Sequence, residues 1–160
     1  MTDPKALYEH DFAAWAHQQA EALRAAADGG SNQLLDWGNL AEEIESLGTS
    51  QRSALASHVM RIIQDLVKLE YSPSVEPRGG WRRTVRLARL QVQRRVEDNP
   101  SLKPELGRFV EDEIRRGIEL AIADLEEHGD LDEVEANVLR RARYTEEQVV
   151  GDWWPEEPPR

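Results

Sequence analysis

The chain has 160 residues, a formal net charge of −11 at pH 7 and no cysteine. A chain of this length can bury a core of its own as one domain, and the absence of cysteine excludes disulfides, thiolate metal ligands and cysteine nucleophiles. The negative charge disfavours nucleic acid and anionic lipid as partners of the whole surface. No apolar run approaches the roughly 18 residues of a membrane span, so composition predicts a cytoplasmic protein without membrane contact.

Leucine, alanine, glutamate and arginine dominate the chain, and segments of strictly alternating polarity are missing. This composition predicts an all-α fold, a single-domain helical bundle of about five to six helices over residues 1–151, followed by an irregular tail over 152–160. The first predicted helix starts at Asp11 as its N-cap and ends at Gly29 and Gly30.

The second predicted element is the acidic motif, which we define as residues 36–48. Its spacing predicts a short helix that Asp36 or Asn39 caps, that Gly48 ends, and whose core face is formed by Trp37, Leu40, Ile44 and Leu47. A long core helix over residues 50–71 should follow, because apolar residues alternate there at spacings of four and three: Leu55, Val59, Ile62, Leu66 and Leu69.

Proline and glycine near residues 73–80 predict a connection to a fourth helix over 81–98. Ser101 is then the predicted N-cap of a fifth helix that runs to Gly129. Capping-box patterns predict two short helices, one near Asp132 and one starting at Thr145. The tail is rich in proline, and we expect its Trp153 and Trp154 to dock on the fold rather than to serve as an anchor for a partner.

The charge distribution singles out the fourth helix. Residues 78–96 hold seven arginines and no acid, whereas the rest of the chain is strongly acidic. We define Arg82, Arg86 and Arg89 as the arginine row, since their spacing places them along one edge of a helix. Such a row can bind phosphates of a nucleic acid or a small anion, with the basic helix Arg78 to Arg95 as the binding element. The alternative, which the surrounding negative charge favours, is internal pairing with Glu42, Glu43 and Glu45 of the acidic motif.

Several of these segments resemble one bacterial family. They are Leu7-Tyr8-Glu9-His10-Asp11-Phe12-Ala13-Ala14-Trp15, the acidic motif, Tyr71-Ser72-Pro73, Trp81-Arg82 and Tyr144-Thr145. Together they resemble, in order and over nearly the whole chain, the family catalogued as domain of unknown function twenty-nine. The resemblance implies a small, all-helical bacterial protein for which no activity is established.

Two catalytic hypotheses rest on thinner patterns. A helix bundle could collect Glu42 and Glu45 with His58, Asp65, Asp124 and His128 around a cation, but no Glu-x-x-His pair is present, so no metal and no cofactor is predicted. Arg52 and His58 have a spacing similar to that of helical-bundle ribonucleases, in which the histidine would act as acid or base. The sequence therefore favours an interaction or scaffold module of unknown partner, compatible with a homodimer; an anion or nucleic-acid binder and a metal-dependent or ribonuclease-like enzyme are the alternatives, with the balance against an enzyme.

Overall fold

The computed structural model describes residues 3–30 and 32–157, without the side chain of Val134. Helices are the only regular elements within these ranges. They are α1 (Pro4–His10), α2 (Phe12–Asp28), α3 (Trp37–Tyr71), α4 (Arg78–Asp98), a 3-10 helix (Pro100–Glu105), α5 (Leu106–Glu127), α6 (Glu133–Leu139) and α7 (Glu146–Val150). The predicted all-α class is confirmed.

The chain divides into two compact units. Unit 1 contains residues 1–54 and 94–104, and unit 2 contains residues 55–93 and 105–160. The boundaries therefore fall within α3, within α4 and within the 3-10 helix. The assignment of residues 1–151 to a single domain stays a prediction.

The carboxylate of Asp11 links α2 to the 3-10 helix within unit 1. It caps α2 as predicted, because Asp11 Oδ1 accepts a hydrogen bond from the Ala14 amide at 2.9 Å. The same carboxylate accepts bonds from the amide of Ser101 at 2.6 Å and from its hydroxyl at 3.0 Å. Ser101 is consequently not the N-cap of α5, as the sequence suggested. It lies in the 3-10 helix, which Pro104 also joins, and α5 begins only at Leu106.

Gly48 does not end a helix. The acidic motif and the long core helix are one continuous α3, which starts after Asp36, whose Oδ1 accepts the Asn39 amide at 3.2 Å. A Cβ at Gly48 would lie 3.2 Å from Ala16 Cβ and 3.4 Å from the Ala13 carbonyl oxygen of α2. The glycine therefore permits close packing of two helices, which explains why it occurs in mid-helix.

The predicted core face of the acidic motif is wrong for two of its four members, while Trp37 and Ile44 are half-buried. Leu40 and Leu47 are 41% and 45% exposed, whereas Ala41 and Gly48 are buried. Small residues, with Ala16 and Ala20 on α2, thus form the buried face of this part of unit 1. Close backbone approach favours small side chains at a helix crossing, so the larger leucines face outward.

Unit 2 holds the larger apolar core. The predicted stripe of α3 is confirmed, since all five of its members are at most 1% exposed: Leu55, Val59, Ile62, Leu66 and Leu69. Further buried side chains come from α5, including Phe109, Ile118 and Ile122. Both capping boxes are confirmed, by Asp132 with Glu135 for α6 and by Thr145 with Gln148 for α7. The tail is irregular through residue 157, and residues 158–160 lie outside the described part.

Candidate functional site

The arginine row contacts the C-terminal tail of its own chain. Arg89 Nε donates to the Val149 carbonyl at 2.9 Å, and Arg89 Nη2 donates to the carbonyls of Gln148 at 2.8 Å and Trp153 at 2.7 Å. Burial is the first cause of a lowered pKa of Arg89, against which Asp152 and Glu147 act. One guanidinium thus fixes the end of α7 and the start of the tail.

The two remaining arginines of the row hold the rest of the tail. The guanidinium carbons of Arg86 and Arg89 lie 5.5 Å and 4.8 Å from the ring centroid of Trp154, within the range of a cation–π contact. Arg82 Nη2 donates to Glu157 Oε1 at 2.6 Å. Trp154 is therefore docked on the fold, as expected. The three guanidinium groups that the sequence suggested as ligands of an anion contact residues 148–157 instead.

We expect Arg89→Lys to release the tail. An ammonium cannot reproduce the planar fork that reaches three carbonyls, so about 1–3 kcal/mol of the free energy of unfolding should be lost. Urea denaturation measures that loss, and amide hydrogen exchange should rise selectively over residues 152–157. Arg83→Lys, on the exposed side of α4, is the matched control. Unchanged exchange in the Arg89 variant would contradict the role of this side chain.

The ion pair that the structure describes for the acidic motif joins Glu45 to Arg24 of α2. Arg24 Nη2 lies 2.6 Å from Glu45 Oε2, and Arg24 Nη1 donates to Oε1 at 3.4 Å, both within unit 1. The hydrogen bond from Arg24 lowers the pKa of Glu45 below its ordinary value. Glu42 and Glu43 are exposed. The partner of Glu45 is thus a side chain of α2, whereas the arginine row contacts α7 and the tail.

A second charged group lies in unit 2. The sequence offered Asp65 and Asp124 as ligands of a hypothetical cation but did not identify Lys68. The Lys68 ammonium lies 2.7 Å from Asp65 Oδ1 and 3.0 Å from Asp124 Oδ2. The side chains of Lys68 and Asp65 are only 10% and 3% exposed. Gln64 Nε2 donates to the same Asp124 oxygen at 2.7 Å, and the Lys68 nitrogen is 5.2 Å from the Trp81 ring centroid. A buried ammonium is thereby enclosed by two carboxylates and an aromatic ring.

This lysine opens onto a cleft of about 510 Å³, which we call the lysine cleft. Its walls come from the end of α3, the loop after it, the start of α4 and the end of α5: Lys68, Ser74, Glu76, Pro77, Trp81, Asp124, Leu125, His128 and Asp130.

The loop that forms one wall is held firmly. The hydroxyls of Ser72 and Ser74 each donate to Asp130 Oδ2 at 2.8 Å. Arg78, buried at the start of α4, donates to the carbonyls of Leu69 at 2.5 Å and Ser72 at 3.1 Å. Arg78, the first arginine of the basic helix, therefore satisfies carbonyls at and just after the end of α3, and this wall of the cleft is preorganised.

Burial and pairing act oppositely on the two aspartates of Lys68. Burial is the main cause that raises the pKa of Asp65, although the Lys68 ammonium opposes it. Burial also tends to raise the pKa of Asp124, but hydrogen bonds from Lys68 and Gln64 outweigh it, so that this pKa lies below its usual value. Asp124, the more exposed of the two aspartates, therefore stays ionised to a lower pH than Asp65 does.

The residues of the metal and ribonuclease hypotheses are spread over both units. Arg52 lines a cleft of unit 1 with His17 and Glu45, and His58 lies further along α3, in unit 2. His128 Nδ1 is 2.6 Å from the Asp124 carbonyl oxygen. Within residues 3–30 and 32–157, no three histidine, aspartate or glutamate side chains are grouped as metal ligands.

The sequence did carry one signal for the lysine cleft. Lys68 interrupts the run Leu66-Val67-Lys68-Leu69, whose three apolar residues are all buried. A lysine inside such a run is either a flexible side chain that reaches solvent or a paired internal charge. Its distant partner Asp124 could not be inferred from spacing, because it comes from α5.

These features define an all-helical protein with a charged cleft at the ends of three helices. In the described part of the chain, no helix has the length and apolar content needed to cross a membrane. Residues 7–154 match the family described as Domain of unknown function DUF29, and the chain belongs to that family.

A solved structure has the same fold. It is the crystal structure of an α-helical protein of unknown function from Rhodospirillum rubrum, with a TM-score of 0.66 and 24% sequence identity over 92% of this chain and 98% of that one. No significant match was found among curated proteins. The family and the fold are therefore established, and neither assigns an activity.

Proposed function

We propose that the chain is a binding module whose lysine cleft takes an organic cation, a primary amine or a guanidinium group. The observation that carries this proposal is the composition of the cleft, where one lysine faces three carboxylates and the ring of Trp81. That lysine is already paired with Asp65 and Asp124. The unbalanced charge of the cleft is therefore negative.

The carboxylates retain acceptor capacity. Both hydrogen bonds to Asp130 fall on Oδ2, and the two described bonds to Asp124 also fall on Oδ2. From the described residues, Oδ1 of each carboxylate receives no hydrogen bond. An alkylammonium could use these oxygens and the face of Trp81, since cations bind aromatic faces with about 0.5–2 kcal/mol. The Lys68 ammonium beside the same ring is an internal example of this chemistry.

The volume of the lysine cleft and the net charge of the protein support the same ligand class. A cleft of about 510 Å³ is within the range of small-molecule sites. The net charge of −11 raises the local concentration of cations near the surface. The ligand would be a free amine or a basic side chain of a partner protein, which keeps the proposal within the class of interaction modules. For such a module we also infer a bacterial, cytoplasmic setting.

The alternative of an anion or nucleic-acid binder on α4 has less support. The donors of Arg89 and Arg82 that would contact phosphate instead contact carbonyls and a carboxylate of residues 148–157. Binding there would require the tail to leave first. No observed contact favours that exchange.

Calorimetric titration tests the proposed ligand class. Putrescine should bind, and 1,4-butanediol, which has the same carbon chain without charge, should not. Glu76→Gln and Asp130→Asn should each weaken putrescine by up to about tenfold, the equivalent of about 1.4 kcal/mol. Asp112→Asn, an exposed change on α5, is the matched control and should leave the affinity unchanged. Equal binding of amine and diol, or no effect of both cleft substitutions, would refute the proposal.

A further inference from the structure

A different cleft of unit 2 gathers arginines that are scattered along the sequence. It has a volume of about 730 Å³, and we call it the arginine cleft. Arg115 and Glu119 come from α5, and Arg140 and Arg143 come from the segment after α6. Three guanidinium groups therefore meet two carboxylates, the second being Glu111. This local excess of positive charge contrasts with the strongly acidic chain around it.

The three arginines are engaged to different extents. Arg140 is bound to Glu119, with Nε to Oε1 at 2.8 Å and Nη2 to Oε2 at 3.3 Å. Arg143 Nη1 donates to the carbonyls of Arg140 at 3.1 Å and Ala142 at 2.7 Å. These bonds hold the Arg143 guanidinium in place. Its Nε and Nη2 donate no hydrogen bond to any residue that the structure describes.

Arg115 is the third member, and its donors make no hydrogen bond within the described part of the chain. Its charge acts on Glu119, whose pKa is lowered first by the hydrogen bond from Arg140 and additionally by Arg115. With Arg140 and Glu119 satisfying each other, Arg115 and Arg143 face a single remaining carboxylate, Glu111. Two guanidinium groups with available donors can bind one oxyanion in a bidentate manner.

The rest of the wall is apolar. Ile114 is half-buried, and Ile118 and Tyr144 are buried. The Tyr144 hydroxyl is directed away to Glu70, to which it donates at 2.5 Å, and burial raises the pKa of Tyr144 far above its ordinary value. The tyrosine therefore offers the cleft only a neutral ring. A ligand that fits both parts of the wall has an acidic group and a small apolar body.

We propose that the arginine cleft binds a small organic anion through a carboxylate or phosphate group, with Arg115 and Arg143 as its ligands. The site shares no residue with the lysine cleft, so either proposal can fail without the other. It also differs from the anion site that the sequence suggested, because the arginines of α4 contact the tail.

Calorimetry with three probes tests the site and distinguishes its two ligand sources. Inorganic phosphate, phenyl phosphate and benzoate should be titrated into the full chain. We expect an aromatic anion to bind more tightly than inorganic phosphate, and preference between phenyl phosphate and benzoate identifies the acidic group. No heat with any probe up to about 10 mM would overturn the proposal.

Matched variants locate the binding. Arg115→Met and Arg143→Met should each weaken the best probe by about tenfold, and Glu111→Gln should strengthen it by about threefold, because a like charge is removed. Arg83→Met, exposed on α4, should have no effect. Circular dichroism confirms that each variant is folded. Binding that is indifferent to both arginine substitutions would place the anion elsewhere and overturn the assignment.

Discussion

Gly117→Ala should lower the free energy of unfolding by about 1–3 kcal/mol, the usual range for an overpacked core. Gly117 is buried in the middle of α5, and a Cβ there would lie 2.7 Å from Ile63 Cγ2 and 2.8 Å from Ile63 Cβ. It would also lie 3.1 Å from the Met60 carbonyl oxygen. Because two of these atoms sit on or beside the α3 backbone, a rotamer change of Ile63 cannot relieve the contact.

The same helix provides the control. A Cβ at Gly107 would meet only Glu146 Oε2 at 3.1 Å, the far end of a flexible side chain that can move. Gly107→Ala should therefore be neutral or stabilise by up to about 1 kcal/mol, the helix propensity difference between the two residues. Urea denaturation of both variants measures the contrast. Equal stability of the two variants would contradict the close approach of α3 and α5 at Gly117.

Glycine and alanine explain where sequence reasoning about the helices failed. At Gly48, glycine inside an acidic segment indicated a helix end, but the contact with Ala13 and Ala16 requires it in mid-helix. The buried face of that segment contains Ala41 and Gly48, which carry almost no hydrophobic signal, while Leu40 and Leu47 are exposed. Periodicity identifies a core face when large side chains fill it, as on residues 55–69. It misleads where two backbones approach closely.

The charged sites were predictable only in part. The sequence identified the arginine row as a group because its members share one helix edge, and the predicted docking of Trp154 is confirmed. It did not identify the row's contacts with backbone carbonyls, since a carbonyl has no sequence signature. The lysine cleft and the arginine cleft each combine residues more than 20 positions apart. Such groupings follow from the packing of α5 and the segments after it, which spacing along the chain does not encode.

Lys68→Met should lower the free energy of unfolding at pH 7 by about 3–5 kcal/mol, because it leaves the carboxylate of Asp65 buried without its partner. Asp65 is almost wholly inaccessible, and the ammonium at 2.7 Å is its described counter-charge within unit 2. Lys103→Met removes an exposed lysine of the 3-10 helix and should change stability by no more than about 0.5 kcal/mol. Chemical denaturation of both variants gives the comparison.

A double substitution and a change of pH separate lost pairing from lost packing. Asp65→Asn combined with Lys68→Met should recover part of the stability, since no buried charge then remains, whereas additive losses would contradict pairing.

The pKa of Asp65 is raised above its usual 3.8 in the folded protein. Between those two values the folded state binds more protons than the unfolded state, so the contribution of Asp65 to stability falls as pH rises. Without Lys68 that pKa rises further, and the deficit of Lys68→Met should grow from pH 4 to pH 7. A deficit that is equal at both pH values would indicate that Lys68 stabilises the fold through its alkyl chain alone.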